Sequence, residues 1–396
     1  MRRVTGTAPS VWSPTPSDPA ALFGADELER SRRYHRPLRR MRAARAVGRA
    51  VVLIAVVAVA PRLVDGLPVE GWIAQLAVVL VLTEAAVALV DVPLDAWVDL
   101  RHDRRWGLSN QTGAGLAADE VKSALVSSLV GAAVLVPVYA LVRSTSWWWL
   151  WAWLVVVVWI VVGGLLWPVV LAPLFNRFQP LADASLVARV AAVGEQAGVT
   201  LERIEVADQS RRSSRDNAYV AGFGPTRRMV LFDTLLATPP ELVEQVVAHE
   251  LGHVRRHHVV RQLPLLAGAA LVVLAVLGAL SGWQGLFDAL DLDGPGDPAG
   301  LPLVLLVIGA TTALLTPALA WVSRGFEREA DLDALDLLRR PDHAEAMLRR
   351  LHTRNLADLE PDWWGRARAT HPSAAQRIAF ARRWSPGDRP GSDPIS

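Results

Sequence analysis

Six long apolar stretches constrain the fold of this chain more than any other feature of its sequence. Each has about 20 residues, the length that an α-helix needs to cross the hydrocarbon core of a bilayer. They lie at 46–64, 72–95, 121–142, 147–171, 263–283 and 301–322. Six such stretches favour a polytopic membrane protein over the alternative, a large soluble core with buried helices.

The charges between the apolar stretches predict their orientation. Arginines cluster before the first stretch, between the second and third, between the fourth and fifth, and after the sixth. The segment 284–300 instead has four aspartates and no basic residue. By the positive-inside rule, both termini and the arginine-rich segments face the cytoplasm. The second stretch contains Glu84 and Asp91, so hydropathy does not define its end.

The composition narrows the chemistry that is available. The chain has no cysteine, which excludes disulfides and thiolate zinc sites. Lys122 is its only lysine, and this arginine-rich, cysteine-free composition predicts a protein of a bacterial cell membrane. The basic residues flank apolar spans and are not interleaved with exposed aromatic residues, so we expect no nucleic-acid binding.

The segment 249–253 reads HELGH, an H-E-x-x-H pattern. Residues four apart share one face of a helix, so His249 and His253 can bind one metal ion. Glu250 then lies beside that ion, where it can take a proton from a metal-bound water, as in zinc peptidases. A helix is predicted because Thr238 fits the N-cap position ahead of two prolines and a glutamate. The alternatives are a chance match or an ion-paired structural helix.

Zinc needs a third protein ligand and an open position for water. His257 cannot easily share the ion, because about 12 Å of helix rise separates it from His249. We therefore expect His257 and His258 to form a solvated helix end, and the third ligand to come from another element.

The segment 323–331, after the sixth apolar stretch, is predicted to open a helix that has suitable carboxylates. Glu327 and Asp331 are spaced i, i+4, so one could bind zinc while the other hydrogen-bonds a ligand histidine. Glu329 and Asp333 have the same spacing on another face, so spacing leaves both pairs open.

The region 173–262 mixes a helix with short strands. An amphipathic helix is predicted at 185–198, and strands at 201–207, 217–220 and 229–232. An exposed edge strand at 217–220 could pair with an extended substrate. From the residues alone, an ordinary strand is the simpler interpretation of Asn217 and Ala218.

Several sequence blocks together resemble the type I CAAX prenyl proteases, membrane zinc endopeptidases grouped with the bacterial heat-shock membrane zinc proteases. The resemblance extends from about 27 to 382. The blocks are WG at 106–107, NQT at 110–112, PLFNRF at 173–178, PL at 180–181, RSS at 212–214, NAY at 217–219, GFG at 222–224 and RMVLFDTLL at 228–236. The resemblance implies a mainly α-helical polytopic membrane protein with about six spans and a zincin-like (gluzincin) α+β catalytic domain containing a small β-sheet.

The resemblance also implies a role for each matching residue. His249, His253 and Glu327 are implied to bind zinc, with Glu250 as general base and Asp331 as the partner of a ligand.

Four further residues that match the family lie outside the H-E-x-x-H segment and the segment 323–331. Asn217 and Ala218 match the edge strand that holds substrate backbone. His371 and Arg377 match a late motif close to the site, where His371 could stabilise the oxyanion, and a structural helix cap explains His371 nearly as well.

These features predict six segments along the chain. They are a disordered tail (1–28), a four-span membrane domain (29–172), a catalytic region with the H-E-x-x-H helix (173–262), two further spans (263–322), a second catalytic region (323–384) and a disordered tail (385–396).

We therefore predict a membrane-embedded endopeptidase with one Zn²⁺ per chain, whose partners are the lipid bilayer and a membrane-associated or unfolded protein substrate. Bacteria generally lack prenylated C-terminal motifs, so that substrate is not carried over. The sequence gives no indication of the oligomeric state.

Three other functions are weighed against this one. A non-catalytic zinc-binding scaffold would not need Glu250. An intramembrane protease of the site-two type is disfavoured, because arginines follow the motif before the next span. A transporter is disfavoured because no internal repeat is evident.

Overall fold

The computed structural model describes residues 18–66 and 68–386 and is mainly α-helical. The first group of helices is α1 (Ala25–Asp65), α2 (Trp72–Trp97), α3 (Asp103–Arg105), α4 (Gly113–Ser144), α5 (Trp148–Leu166), α6 (Ala172–Phe175) and α7 (Ala184–Gln196). The second group is α8 (Pro240–Arg255), α9 (His258–Ser281), α10 (Gln284–Ala289), α11 (Leu301–Leu338), α12 (Pro341–Arg354), α13 (Trp363–Arg368) and α14 (Ala374–Arg383).

The prediction of six membrane spans is confirmed, because the described residues include six helices that are long and apolar enough to cross a bilayer. They are α1, α2, α4, α5, α9 and α11, together with the short helical turns that continue some of them. Large apolar side chains on these helices, such as Leu89, Leu129 and Leu314, are exposed, as lipid-facing side chains must be. The protein is therefore a polytopic membrane protein.

Ion pairs explain how the second span tolerates its acidic residues. Arg49 in α1 makes a bidentate pair with Asp91 at 2.6–2.9 Å, and Arg45 pairs with Asp95 one turn later. Glu84 accepts a hydrogen bond from Ser128 in α4. Because these carboxylates have partners on neighbouring spans, α2 continues to Trp97 instead of ending near Asp91.

Part of the expected N-terminal tail is folded, which corrects the prediction of disorder over 1–28. Residues 18–28 form a short 3₁₀ turn and the start of α1, and Phe23 and Leu28 are buried against Ile378 and its neighbours. These apolar side chains pack against residues that are distant in sequence, and no local sequence pattern reveals that contact. Residues 1–17 lie outside the described residues, as do 387–396 of the predicted C-terminal tail.

A small mixed sheet lies between α6 and α8. Its strands are β1 (Phe178–Pro180), β2 (Arg203–Ala207), β3 (Ala218–Ala221) and β4 (Arg228–Phe232), in the order β1-β2-β4-β3. β2 and β4 are parallel, and the other two pairs are antiparallel. Val190 of α7, Leu231 of β4 and Val247 of α8 share one buried core, which fixes the sheet against α8. The three predicted strands are confirmed, and β3 lies at an open edge.

The helix that carries the H-E-x-x-H motif begins without a side-chain cap, which corrects the prediction for Thr238. α8 starts at Pro240, and Pro239 occupies the N-cap position. The Thr238 hydroxyl instead accepts a hydrogen bond of 3.0 Å from Arg350 of α12. The Thr238 hydroxyl thus bonds to a residue that is distant in sequence, although the local pattern predicted that it would cap the helix.

α11 is one continuous helix from Leu301 to Leu338, which corrects the prediction of a new helix at 323. The segment between the apolar stretch and Glu327 has no residue that interrupts a helix, since Gly325 is tolerated and the only internal proline is Pro317. A single rod of about 57 Å therefore joins the sixth span to the metal-binding region.

Gly252 allows α8 to lie directly on α11. A Cβ atom at Gly252 would be 3.0 Å from Ala330 Cα and 3.1 Å from its carbonyl oxygen. This approach brings the histidine face of α8 onto the carboxylate face of α11.

We expect Gly252→Leu to separate the two helices and lower the free energy of unfolding by about 1–3 kcal/mol, the usual cost of overpacking. Chemical unfolding in detergent micelles measures this change. Gly325→Leu in α11 is the control, because a Cβ at Gly325 meets no atom within 4 Å. Equal losses for both variants would contradict the prediction.

Candidate metal centre and active site

Three potential metal ligands converge where α8 meets α11. His249 Nε2 and His253 Nε2 are 3.3 Å apart. Glu327 approaches them with Oε2 at 3.3 Å from His249 Nε2 and Oε1 at 3.5 Å from His253 Nε2. Among the described residues, these three form the one group that could hold a metal ion.

The spacing of these atoms fits a tetrahedral zinc site. Two donors that bind one tetrahedral zinc at about 2.0–2.1 Å lie roughly 3.3 Å apart. Glu327 is buried, and no donor within the described residues meets its Oε2 in hydrogen-bond geometry. A buried carboxylate oxygen of this kind needs a cation. The His₂Glu donor set is also one that zinc uses in peptidases.

Asp331 and Arg377 hold the outer side of His249. Asp331 Oδ1 accepts a hydrogen bond of 2.9 Å from His249 Nδ1, which leaves Nε2 free to face a metal. Arg377 of α14 donates to both oxygens of Asp331, at 2.6 and 2.8 Å. Burial lowers the pKa of His249, but the adjacent carboxylates of Asp331 and Glu327 outweigh that effect and raise it to about 9.

Glu250 lies on the same helix and lines the same cavity as His249. Its carboxylate forms no hydrogen bond or ion pair with any part of the chain that the structure describes, so its oxygens are available to a substrate or a water molecule. Burial raises the pKa of Glu250 to about 7, although the charge of His249 opposes this. Such a carboxylate can exchange a proton near neutral pH.

His371 reaches the metal centre from the segment before α14. Its Nε2 is 3.2 Å from Glu327 Oε1, while 59% of the side chain stays exposed. The neighbouring N-cap of α14 is Ser373, whose hydroxyl accepts from Gln376 N. The capping alternative for His371 is therefore wrong, because Ser373 fills that position.

Asn217 and Ala218 lie where the sheet edge passes the metal centre. The carbonyl of Asn217 accepts a hydrogen bond of 3.0 Å from Phe232 N. Hydrogen-bonded pairs alternate along an antiparallel ladder, so Ala218 and Val220 direct their backbone N–H and C=O groups away from β4. β3 pairs with no second strand among the described residues, so those groups have no partner in the sheet, and Ala218 is 3% exposed.

A cavity of about 130 Å³ opens beside Glu250. Its polar lining consists of Asn217, Gln245, His249, Glu250, Asp331, His371 and Arg377. Most of the lining is apolar and comes from α8, α11, α12, α14 and the turn after β4: Leu235, Val246, Ala334, Leu335, Ala344, Met347, Leu348, Leu351, Phe380 and Ala381. A volume of this size suits one side chain and is well below that of a drug-sized ligand site.

The structure shows which of the two carboxylate pairs faces the motif histidines. Glu327 and Asp331 face the motif histidines, whereas Asp333 pairs with Arg256 at 2.6 Å and Glu329 pairs with Arg261 at 2.6 Å. The expectation that His258 is a solvated helix end is wrong. It is 4% exposed and contacts His253, and no sequence pattern signalled this because the contact depends on how α9 leaves α8.

The geometry defines a class, the membrane-spanning metallopeptidases of the H-E-x-x-H type, and comparisons with known proteins agree. Residues 180–385 match the profile of peptidase family M48. Residues 12–177 match the CAAX prenyl protease N-terminal region, described as five membrane helices. The described part of that range contains four of the spans.

Named relatives are similar over most of the chain. An uncharacterized metalloprotease, YhfN, of Bacillus subtilis is 30% identical over 303 residues, covering 74% of this chain and 70% of the relative. The CAAX prenyl protease 1 homolog of Oryza sativa subsp. japonica is 27% identical over 300 residues, covering 74% and 69%. The CAAX prenyl protease 1 of Saccharomyces cerevisiae is 26% identical over 327 residues, covering 77% and 72%.

The crystal structure of S. mikatae Ste24p has the same fold. It superposes with a TM-score of 0.81 at 22% identity, covering 93% of this chain and 91% of Ste24p. The chain belongs to peptidase family M48 and is a membrane zinc endopeptidase related to the CAAX prenyl proteases. The predicted family, fold class and enzyme class are thereby confirmed.

Burial of the Arg377–Asp331 pair predicts a large effect of its removal. Arg377→Leu would leave Asp331 buried without its cation, so the free energy of unfolding should fall by roughly 3–5 kcal/mol. Arg382→Leu is the matched control, because Arg382 makes a similar bidentate pair with Glu345 from the same helix. The Arg382 side chain is 49% exposed, against 9% for Arg377.

The control variant should therefore lose no more than about 1 kcal/mol. Both variants are compared by chemical unfolding in the same detergent. If Arg377→Leu lowers the free energy of unfolding no more than Arg382→Leu does, the buried pair does not stabilise the fold as predicted.

Proposed function

We propose that His249, His253 and Glu327 hold one zinc ion and that Glu250 is the general base for peptide-bond hydrolysis. The observation that carries this proposal is the convergence of three potential metal ligands at 3.3–3.5 Å. Beside them lies the carboxylate of Glu250, which has no partner among the described residues. Asp331 and Arg377 keep His249 in the orientation that directs Nε2 inward. A non-catalytic zinc scaffold would leave the position and freedom of Glu250 without a purpose.

Each remaining residue has a defined task in the proposed reaction. Bound zinc would supply Lewis acidity, which polarises the scissile carbonyl and lowers the pKa of a water molecule. Glu250 takes a proton as water adds to the carbonyl carbon, and it returns the proton to the amine nitrogen as the C–N bond breaks. His371, exposed beside Glu327, can donate a hydrogen bond to the oxyanion.

The edge of the sheet supports a way to align the substrate. The outward N–H and C=O groups of Ala218 can pair with an extended peptide as an added strand. Asn217 lies next to them and also lines the cavity beside Glu250. Together they would hold the peptide backbone in register with the general base.

The apolar cavity and the membrane spans support a class of substrate. A single apolar side chain next to the scissile bond fits the cavity, which unfolded or membrane-associated proteins can supply. The relatives named CAAX prenyl proteases act on a motif that bacteria generally lack, so the proposal does not include a prenylated substrate. We place the site on the cytoplasmic side of a bacterial cell membrane, following the arginine-rich segments.

Glu250→Gln should retain zinc and lose cleavage. A glutamine cannot accept the proton, so kcat should fall by about 10²–10⁴-fold. The measurements are bound zinc per chain and hydrolysis of casein in detergent, with fragment ends identified by mass spectrometry. We expect apolar residues beside the scissile bonds.

Glu241→Gln, in the first turn of the same helix, is the control for loss of a carboxylate outside the site. Cleavage by Glu250→Gln at the wild-type rate would exclude Glu250 as the base. Absence of zinc from the wild-type protein would exclude the ligand assignment.

Ala218→Pro should lower kcat/KM for casein by up to about tenfold, because it removes one backbone hydrogen bond to the peptide. Its zinc content should not change. The ladder to β4 should survive, since the N–H that proline lacks faces the open edge.

Tyr219→Pro provides the contrast, because its N–H faces β4 and its loss should destabilise the sheet. If Ala218→Pro cleaves casein with wild-type kcat/KM while Tyr219→Pro unfolds, the edge does not bind substrate.

A further inference from the structure

His258 occupies an unusual position at the junction of the metal helix and the fifth span. α8 ends at Arg255, and α9 begins at His258 after His257 adopts a left-handed conformation with φ of 53°. That turn directs the His258 ring back towards α8. Its Nδ1 lies 2.8 Å from Nδ1 of His253.

The other contacts of His258 leave its ring no freedom. Its Nε2 is 3.0 Å from Glu329 Oε2, and Arg261 donates to both oxygens of Glu329 at 2.6 and 3.2 Å. The ring stacks on Phe326 with centroids 4.6 Å apart and planes at 16°. Both nitrogens and one face are therefore held by residues of α8 and α11.

The hydrogen bonds are consistent with one set of tautomers. His253 can present the Nε2 lone pair to a metal only if its proton is on Nδ1. The acceptor for that proton is His258 Nδ1, so the proton of His258 lies on Nε2 and is donated to Glu329. Arg261 balances the charge of the carboxylate at the end of this chain.

The arrangement parallels the one on the other ligand. His249 donates to Asp331, which Arg377 holds. His253 reaches an equivalent carboxylate–arginine pair, Glu329 and Arg261, through one inserted imidazole. The Nδ1 atoms of His249 and His253 are thus each connected by hydrogen bonds to a carboxylate that pairs with an arginine.

We propose that His258 is a positioning residue that orients His253 and strengthens zinc binding. The inference rests on the proposed ligand role of His253. His258 and Arg261 belong to the first turn of the fifth span, and Glu329 belongs to the helix that continues the sixth. The orientation of one metal ligand is therefore set by the two spans next to the catalytic helix.

The test is zinc affinity, measured by competition with a chromogenic chelator on full-length protein in detergent. His258→Ala should weaken zinc binding by about 10–100-fold, as removal of such supporting partners does. His258→Asn should recover most of that loss, because its Oδ1 can accept the hydrogen bond from His253. His257→Asn is the matched control, since His257 is exposed and asparagine tolerates its positive φ.

Glu329→Gln keeps the test decisive if His258→Ala does not fold. The substitution preserves the shape of the side chain and removes its negative charge, so zinc binding should weaken by about tenfold or less. Wild-type affinity in both His258→Ala and Glu329→Gln overturns the inference. Equal weakening in His258→Asn and His258→Ala also overturns it, because a merely structural role predicts no rescue.

His253→Ala separates this inference from the proposed function. If His253→Ala loses zinc and His258→Ala does not, the ligand assignment stands and the positioning role fails. If His253→Ala keeps wild-type zinc affinity, the ligand assignment itself fails.

Discussion

The site depends on the contact between α8 and α11 at Gly252 and Ala330. Without a side chain at Gly252, the two helices approach closely enough for two histidines of one to meet a glutamate of the other. Neither helix contains a complete metal site. Because α11 is continuous with the sixth span, the same contact joins the catalytic region to the membrane domain. Separation of these helices would thus affect stability and metal binding together.

Charged side chains around this contact are arranged in matched pairs. Asp331 and Arg377 form a buried pair on one side of the centre, and Glu329 and Arg261 form a more exposed pair on the other. An unpaired charge at the depth of Asp331 would be strongly unfavourable. Glu327 and Glu250 are the exceptions, since Glu327 has a buried oxygen without a donor and Glu250 has no partner within the described residues. These two carboxylates are the ones to which we assign the metal and the proton.

Sequence reasoning succeeded where the signal was local and repetitive. Within the described residues, the six spans, three of the four strands and the H-E-x-x-H helix all follow from apolar length, alternation or spacing within a short window. It failed where a distant partner competes. Thr238 looked like a helix cap but bonds to Arg350, and His258 looked solvated but is buried against His253. The folded segment 18–28 was missed because Phe23 packs in one core with Ile378, which lies more than 300 residues later in the sequence.

The sequence by itself determined that the chain crosses a membrane, that two histidines share one helix face, and that a glutamate lies beside them. Those properties depend only on residue spacing and apolar length. Tertiary structure decided which carboxylate faces the motif histidines, because Glu327 and Glu329 lie on one helix and face different partners. It also decided that β3 is an edge strand and that His258 touches His253. Such contacts arise from the crossing of separate elements, which no local pattern records.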